Sequence, residues 1–449
     1  MHRRTFIRRQ AGRALRASAV LLLAGCAAGP SSAPAGGQAA SQEAAASAPS
    51  PAASGAADGM SPEERALQQR FAQWLAGFRA SAVAAGVGEP TLRTALDGAR
   101  YLPRVVELDR AQPEFTRAVW DYLDIAVSAQ RVAQGQEKLK EVQAVGQAAA
   151  ERYGVPLPTL VAIWGIESNY GGNYGSTPTI DALATLAFDA RREAWARSQL
   201  ITALKIVQSG DIDREHMIGS WAGAMGQTQF MPSAFVVHAV DGDGDGRRDI
   251  WGSMADVLAS TANFLAHSGW QAGQVWGVEV QLPPGFDHAR ADPAVRQTSE
   301  QWSAEGLRTM DGSPLPAFAD GSVLLPAGAR GPAFLVGPNF RVIMRYNNSN
   351  SYALAVSLLS QRIADGLAVQ APWPRDLVAL TRSQVMALQT ALNDRGFASG
   401  TADGAVGPAT RQAVRAYQRS VGLAADGFPT LDLLQRLVPP PETGPETAR

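Results

Sequence analysis

The sequence predicts a mainly helical protein of the α+β class: a large helical body with a small β-containing insertion, followed by a separate three-helix module. Three observations carry this reading. Apolar residues recur at helical spacing through most of residues 61–275. Between Gly277 and Val342 the pattern changes to short runs such as Val278-Glu279-Val280 and Phe334-Leu335-Val336, punctuated by Gly and Pro, which read as strands and loops. Beyond Ala371-Pro372-Trp373-Pro374, residues 377–438 carry three periodic segments of their own. At 449 residues the chain is too long for one ordinary domain.

The chain opens on an export signal over residues 1–25. Arg3, Arg4, Arg8, Arg9, Arg13 and Arg16 precede an apolar run, Ala17 to Ala24, too short to remain as a membrane span. Leu23-Ala24-Gly25-Cys26 resembles a lipobox, and Cys26 is the only cysteine, so no intrachain disulfide is possible. Lipidation at Cys26 implies a membrane anchor. Arg3-Arg4-Thr5-Phe6-Ile7 also resembles a twin-arginine signal. Ala27, rather than an acid, resembles lipoproteins passed to the outer membrane, so the expected location is periplasmic, on that membrane's inner face. Residues 26–60 are rich in Ala, Ser, Pro and Gly and read as a flexible tether.

The body of residues 61–370 begins with Ser61-Pro62-Glu63-Glu64, a capped helix start, and Phe71, Trp74, Leu75 and Phe78 continue it. Thr116 to Val132 reads as one amphipathic segment with Phe115, Val119, Tyr122 and Leu123 on a face, where a tyrosine is more often core than ligand. Pro158 then suits a helix's first turn and Gly171-Gly172 its exit. Leu160, Ile163, Trp164 and Glu167 share one face of that helix. A glutamate at a helix end is usually solvated or paired. Carried into an apolar wall, it is costly to ionise and can hold a proton near neutrality, as a general acid must. Tyr170 and Tyr174 follow among glycines, a setting that suits a sugar.

A helix from Thr179 to Phe188 comes next, with Arg191 and Arg192 near its end, where they can cap carbonyls or meet an anionic ligand group. The stretch from Gly219 to Ser233 alternates small residues with Ser220, Gln227 and Gln229, which suits close approach of a hydroxyl-rich ligand. Asp241, Asp243, Asp245 and Asp249 hold positions 1, 3, 5 and 9 of an EF-hand-like loop, in which Arg247 offers a carbonyl at position 7. Position 12 is Gly252, so Asp256 on the following helix is the candidate for the missing carboxylate. The expected ion is a structural Ca2+ or Na+ in residues 241–256, with no cofactor for catalysis. Arg345 to Tyr352 enters a helix running to about Ile363, with Tyr346, Asn347 and Tyr352 among the polar side chains at its mouth. Residues 371–376 read as a linker. The helices expected in 377–438 are Arg382–Asp394, Pro408–Val421 and Thr430–Leu437, and 439–449 form a tail.

Charge and motif content narrow the function. Forty basic against 41 acidic residues give no electrostatic case for nucleic acid. Five dispersed histidines build no zinc motif, and neither a Gly-x-Ser-x-Gly elbow nor a phosphate-binding loop is present.

Trp164-Gly165-Ile166-Glu167-Ser168-Asn169-Tyr170-Gly171, Gly223-Ala224-Met225-Gly226-Gln227-Thr228-Gln229-Phe230-Met231-Pro232-Ser233 and Arg345-Tyr346-Asn347 together resemble the membrane-bound lytic murein transglycosylase B family, glycoside hydrolase family 103. The resemblance spans roughly residues 65–370 and implies a lysozyme-like catalytic core. It places the sole catalytic acid/base at Glu167, sugar contacts at Tyr122, Ser220, Gln229, Tyr346 and Tyr352, and proximity to the stem peptide at Arg191 and Arg192. Residues 377–438 are similar to the type 1 peptidoglycan-binding domain, with Asp403-Gly404-Ala405-Val406-Gly407-Pro408-Ala409-Thr410 as the matching stretch.

The implied function is cleavage of the bond between N-acetylmuramic acid and N-acetylglucosamine in peptidoglycan strands, leaving 1,6-anhydromuramoyl ends. Ordinary glycosidases use two carboxylates. Here Glu167 stands alone, and the sugar's own 6-hydroxyl replaces the second. Tyr346, Asn347, Ser220 and Gln229 are expected to orient the sugars. The competing readings are a lysozyme-like hydrolase and a non-catalytic lipoprotein that binds glycan through residues 377–438.

Overall fold

The computed structural model describes residues 61–111 and 117–438. The export signal, Cys26, the tether, Phe115, Thr116 and the tail 439–449 lie outside the described residues.

The helix Leu157–Ser168 is the spine of the body. Pro156 precedes its first turn, and Pro158 sits within that turn, where its missing N–H costs no hydrogen bond. Leu160, Val161, Ala162, Ile163, Trp164 and Gly165 are all buried, so the helix is apolar around its whole circumference rather than on one stripe. Such a helix belongs inside a bundle. The helices Ala129–Glu141, Gln143–Tyr153, Met254–His267 and Asn350–Ala364 surround it and share its core.

A second core joins the opening helix Pro62–Ala84, through Phe71 and Phe78, to the helices Thr179–Phe188 and Glu193–Ser209. Met225, Phe230 and Phe235 complete it from the following segment. Strand β1 (Thr177–Pro178) leads into the first helix of this pair. Strand β2 (Ile218–Gly219) pairs antiparallel with it.

The segment expected as one helix over 116–132 is two: Val119–Ala126 and Ala129–Glu141. The break falls at Val127, and the Ser128 side chain caps the second helix by accepting from the Arg131 N–H. The insertion is a four-stranded antiparallel sheet of β3 (Gly277–Gln281), β4 (Arg308–Thr309), β5 (Ser322–Leu324) and β6 (Ala333–Val336), in the order β4-β3-β6-β5. Trp302, Phe318 and Leu335 fill its core. It ends earlier than the sequence suggests, because Pro338 opens a helix, Pro338–Tyr346. That helix and Asn350–Ala364 are separate, divided at Asn347–Ser349, where Ser349 caps the second.

The C-terminal module forms the helices Arg382–Asp394, Pro408–Ser420 and Leu431–Leu437 around Leu388, Leu392, Val414 and Leu433. Residues 371–376 are not a free linker. Trp373 packs with Trp120, Ala327 and Phe428, and Arg375 pairs with Asp124. The Glu279 carboxylate accepts from the N–H groups of Gln370 and Ala371. The module then docks on the insertion: Arg415 pairs with Asp292, and the Ala329 N–H donates to Asp426.

Candidate active site

Glu167 sits in the last turn of the spine helix, half-buried, and its Oε1 accepts a 2.5 Å hydrogen bond from the Tyr352 hydroxyl. Removal from water pushes its pKa up to about 7, against the opposing pull of the tyrosine hydrogen bond. Among the described residues no second carboxylate contributes to that shift. The groups that feel the Glu167 charge are tyrosines. Tyr122 is pushed up to about 12 by burial and by Glu167, and Tyr346 and Tyr352 are raised well above the ordinary value for the same reasons. The rings of Tyr346 and Tyr352 stack, with centroids 6.5 Å apart and planes 14° from parallel. Tyr346 donates to the Thr228 carbonyl, which ties this stack to the segment carrying Gln227 and Gln229. The acid therefore lies in a wall of phenols that stay protonated and keep water away from one side.

The chain leaves the helix by an unusual route. Asn169, Tyr170 and Gly171 have φ of 50°, 57° and 79°, a left-handed run of which only the glycine adopts the conformation freely. A non-glycine residue held there costs on the order of 1–3 kcal/mol. Tyr170 offsets this: its ring packs edge-on against Trp164, and its hydroxyl donates to the Arg131 carbonyl. Tyr170 is buried and structural, not the sugar contact its setting suggests. The exit expected at Gly171-Gly172 thus begins two residues earlier.

Ser220 and Gln229 belong to one tightly turned segment, in which Met225 bridges to both Gly219 and Phe230. The Ser220 hydroxyl accepts from the Ala224 N–H. Gln229, at φ 52°, donates both amide hydrogens, to the carbonyls of Tyr174 and Gly226, so what it can still offer a ligand is its carbonyl oxygen. Gln227 is buried, with both ends of its amide bonded to protein: Oε1 accepts from Trp164 Nε1, and Nε2 donates to the Trp251 carbonyl. It is part of the framework and does not face a ligand. Asn347 lies half-buried between two helices, and its carbonyl accepts from Ser349.

Arg191 and Arg192 do not cap the helix before them. Both hold Asp109 of the helix Pro103–Arg110, at 2.5 Å each, and Arg192 also lies over the Trp195 ring. No hydrogen bond or ion pair joins either to Glu167. Two cations on one carboxylate leave one positive charge in surplus.

The acidic loop brings Asp241, Asp243 and Asp256 together, with carboxylate oxygens within 4.8 Å of one another. Asp256 is fully buried, raised by desolvation and by the charges of Asp241 and Asp243, and held by the N–H groups of Gly242 and Asp249. A buried acid facing two others fits a hard cation bound through oxygen. Asp245 turns instead toward Arg247, accepting from its backbone N–H and its guanidinium.

Residues 70–361 match the family described as the transglycosylase SLT domain, and residues 381–437 match the peptidoglycan binding domain. The chain is 36% identical over 219 residues to membrane-bound lytic murein transglycosylase B of Escherichia coli, a match spanning 47% of this chain and 58% of that protein. The structure of SltB3 from Pseudomonas aeruginosa in complex with NAG-anhNAM-pentapeptide is 50% identical, with a TM-score of 0.80, covering 82% of this chain and 99% of that one. The E. coli lytic transglycosylase Slt35 in complex with calcium is 32% identical, with a TM-score of 0.56, covering 66% and 92% respectively.

Proposed function

The chain belongs to the transglycosylase SLT family, and we propose that it cleaves the bond between N-acetylmuramic acid and N-acetylglucosamine in peptidoglycan with Glu167 as its single acid/base. The observation that carries this is the tyrosine-walled Glu167, raised by burial to about 7, with no second carboxylate among the described residues contributing to that shift. A hydrolase of the ordinary kind needs two such groups.

Glu167 gives its proton to the glycosidic oxygen as the bond from the muramic acid C1 breaks. The 6-hydroxyl of the same sugar then attacks C1, and its proton passes to the Glu167 carboxylate. The products are a 1,6-anhydro end and a free N-acetylglucosamine hydroxyl, and the acid is restored. The Tyr352 hydroxyl steadies the carboxylate in the interval between the two proton transfers. Tyr122 and Tyr346 supply apolar faces and phenol groups for the sugars, and Ser220, Gln229 and Asn347 supply polar contacts. The surplus charge of Arg191 and Arg192 suits a carboxylate of the stem peptide. That SltB3 holds an anhydro sugar supports this product. Muropeptides released from sacculi should be one water lighter than reducing ends; masses matching reducing ends alone reject the mechanism in favour of hydrolysis.

Asp241, Asp243 and Asp256 would hold Ca2+ (or Na+), in keeping with the calcium in Slt35. The ion compensates buried negative charge and fixes the loop, and takes no part in the proton transfers. The lipobox at Cys26 supports an enzyme anchored in the periplasm, on the inner face of the outer membrane.

A further inference from the structure

We propose that Gln227 is a positioning residue for the reaction: its amide clamps Trp164, and with it the last turn that presents Glu167, to the loop carrying Trp251. The inference rests on Glu167 being the acid/base.

Trp164 lies three residues before Glu167, on the same side of the helix. Its indole N–H donates 2.8 Å to Gln227 Oε1, and Gln227 Nε2 donates 2.6 Å to the Trp251 carbonyl. The backbone N–H of Gln227 is itself fixed on the Ile250 carbonyl at 2.9 Å. Trp251 is held in turn: its indole N–H donates to the Ile218 carbonyl in β2, two residues before Ser220. Gln227 also touches the helix exit. A Cβ built on Gly171 would lie 2.4 Å from Gln227 Oε1 and 3.6 Å from the Trp164 ring, so glycine at 171 is what allows the amide oxygen to sit against the left-handed turn. One side chain therefore meets the catalytic helix at two points, one on each side of Glu167 in sequence, and joins it to the strand that leads to Ser220.

The clamp demands an acceptor at one end and a donor at the other. A carboxamide provides both, as does a protonated carboxyl of the same shape, but an ionised carboxylate cannot donate to a carbonyl. This gives a readout that packing alone would not move. Gln227→Leu keeps the bulk and loses both bonds. We expect kcat on soluble glycan chains to fall at least tenfold with KM within threefold of the parent. Gln227→Glu should approach the parent's kcat at low pH. As pH rises it should lose at least tenfold relative to the parent, through an additional limb that neither the parent nor Gln227→Leu shows. Should the leucine variant fail to fold, the glutamate variant decides the question. A glutamate variant whose profile parallels the parent's overturns the proposal, as does a folded leucine variant with kcat within twofold. Glu167→Gln, measured alongside, separates the two ideas. If it still cleaves, the acid/base assignment falls; if it is inactive while the position 227 variants behave as the parent, only the clamp falls.

Discussion

A carboxyl group that both gives and takes a proton near neutrality needs surroundings that disfavour its charge without forbidding it. Glu167 meets both conditions, since burial raises it to about 7 while the Tyr352 hydroxyl stabilises the ionised form. Cleavage should therefore be fastest below pH 7 and decline as pH rises through about 7, measured as kcat on soluble glycan. Tyr352→Phe removes the opposing hydrogen bond, so the decline should move to higher pH. A hydrogen bond to a charged group contributes about 1.5–3 kcal/mol, so kcat should drop by roughly ten- to a hundredfold. The same shift sets a stability trend. The folded value lies above the ordinary 4.5, so the folded protein holds the extra proton between these values. Stability from this group is greatest below the lower value and is lost as pH rises through the upper one. Glu167→Gln should abolish cleavage while melting above the parent at pH 8, with the difference vanishing near pH 4. Thermal melts at the two pH values check it. The apolar setting of this residue was legible in the sequence, because an acid three residues after a tryptophan on an apolar helix is conspicuous. The family resemblance offers Tyr352 only as a sugar contact; its hydrogen bond to Glu167 was not legible, because the two lie 185 residues apart and no local pattern links them.

At the scale of elements, the acidic loop and the motif around Gly219 are the parts most sensitive to a single atom. A chelator should lower the melting temperature of the parent. Asp256→Asn should lower it as well and leave little further response to the chelator, because the buried carboxylate that closes the cluster is gone. A Cβ at Gly219 would lie 1.9 Å from the Ala224 carbonyl, so Gly219→Ala must push apart the loop that Ser220 closes. Such overpacking costs about 1–3 kcal/mol, and glycan binding should weaken with it, as sedimentation with sacculi would show. The loop's first acids and the displaced Asp256 followed from spacing, since ligand positions in such loops are set by chain geometry. The helix break at Val127 did not: it falls where hydrophobic periodicity continues, and only the capping Ser128 marks it. The left-handed exit at Asn169–Gly171 was hidden for a different reason, since tertiary contacts from Tyr170 and Gln227 hold a conformation that the local residues do not favour.

On the scale of the whole molecule, the small C-terminal module is attached by more than its connecting strap. Arg415–Asp292 and the Asp426 contact to Ala329 fasten it to the insertion, and Trp373 fills the seam beside Trp120 and Phe428. The sequence reads residues 371–376 simply as a linker, because sequence reports what a segment can do alone and not what lies beside it. Arg415→Ala combined with Asp426→Ala should leave cleavage of short soluble glycans within threefold of the parent while exposing residues 371–376 to protease. Limited digestion followed by mass analysis checks this. With the seam intact, the two parts share one cooperative fate on heating. A calorimeter should record a single endotherm in the parent and two in the loosened variant, and any lesion in the lesser lobe would be felt as fragility by the larger.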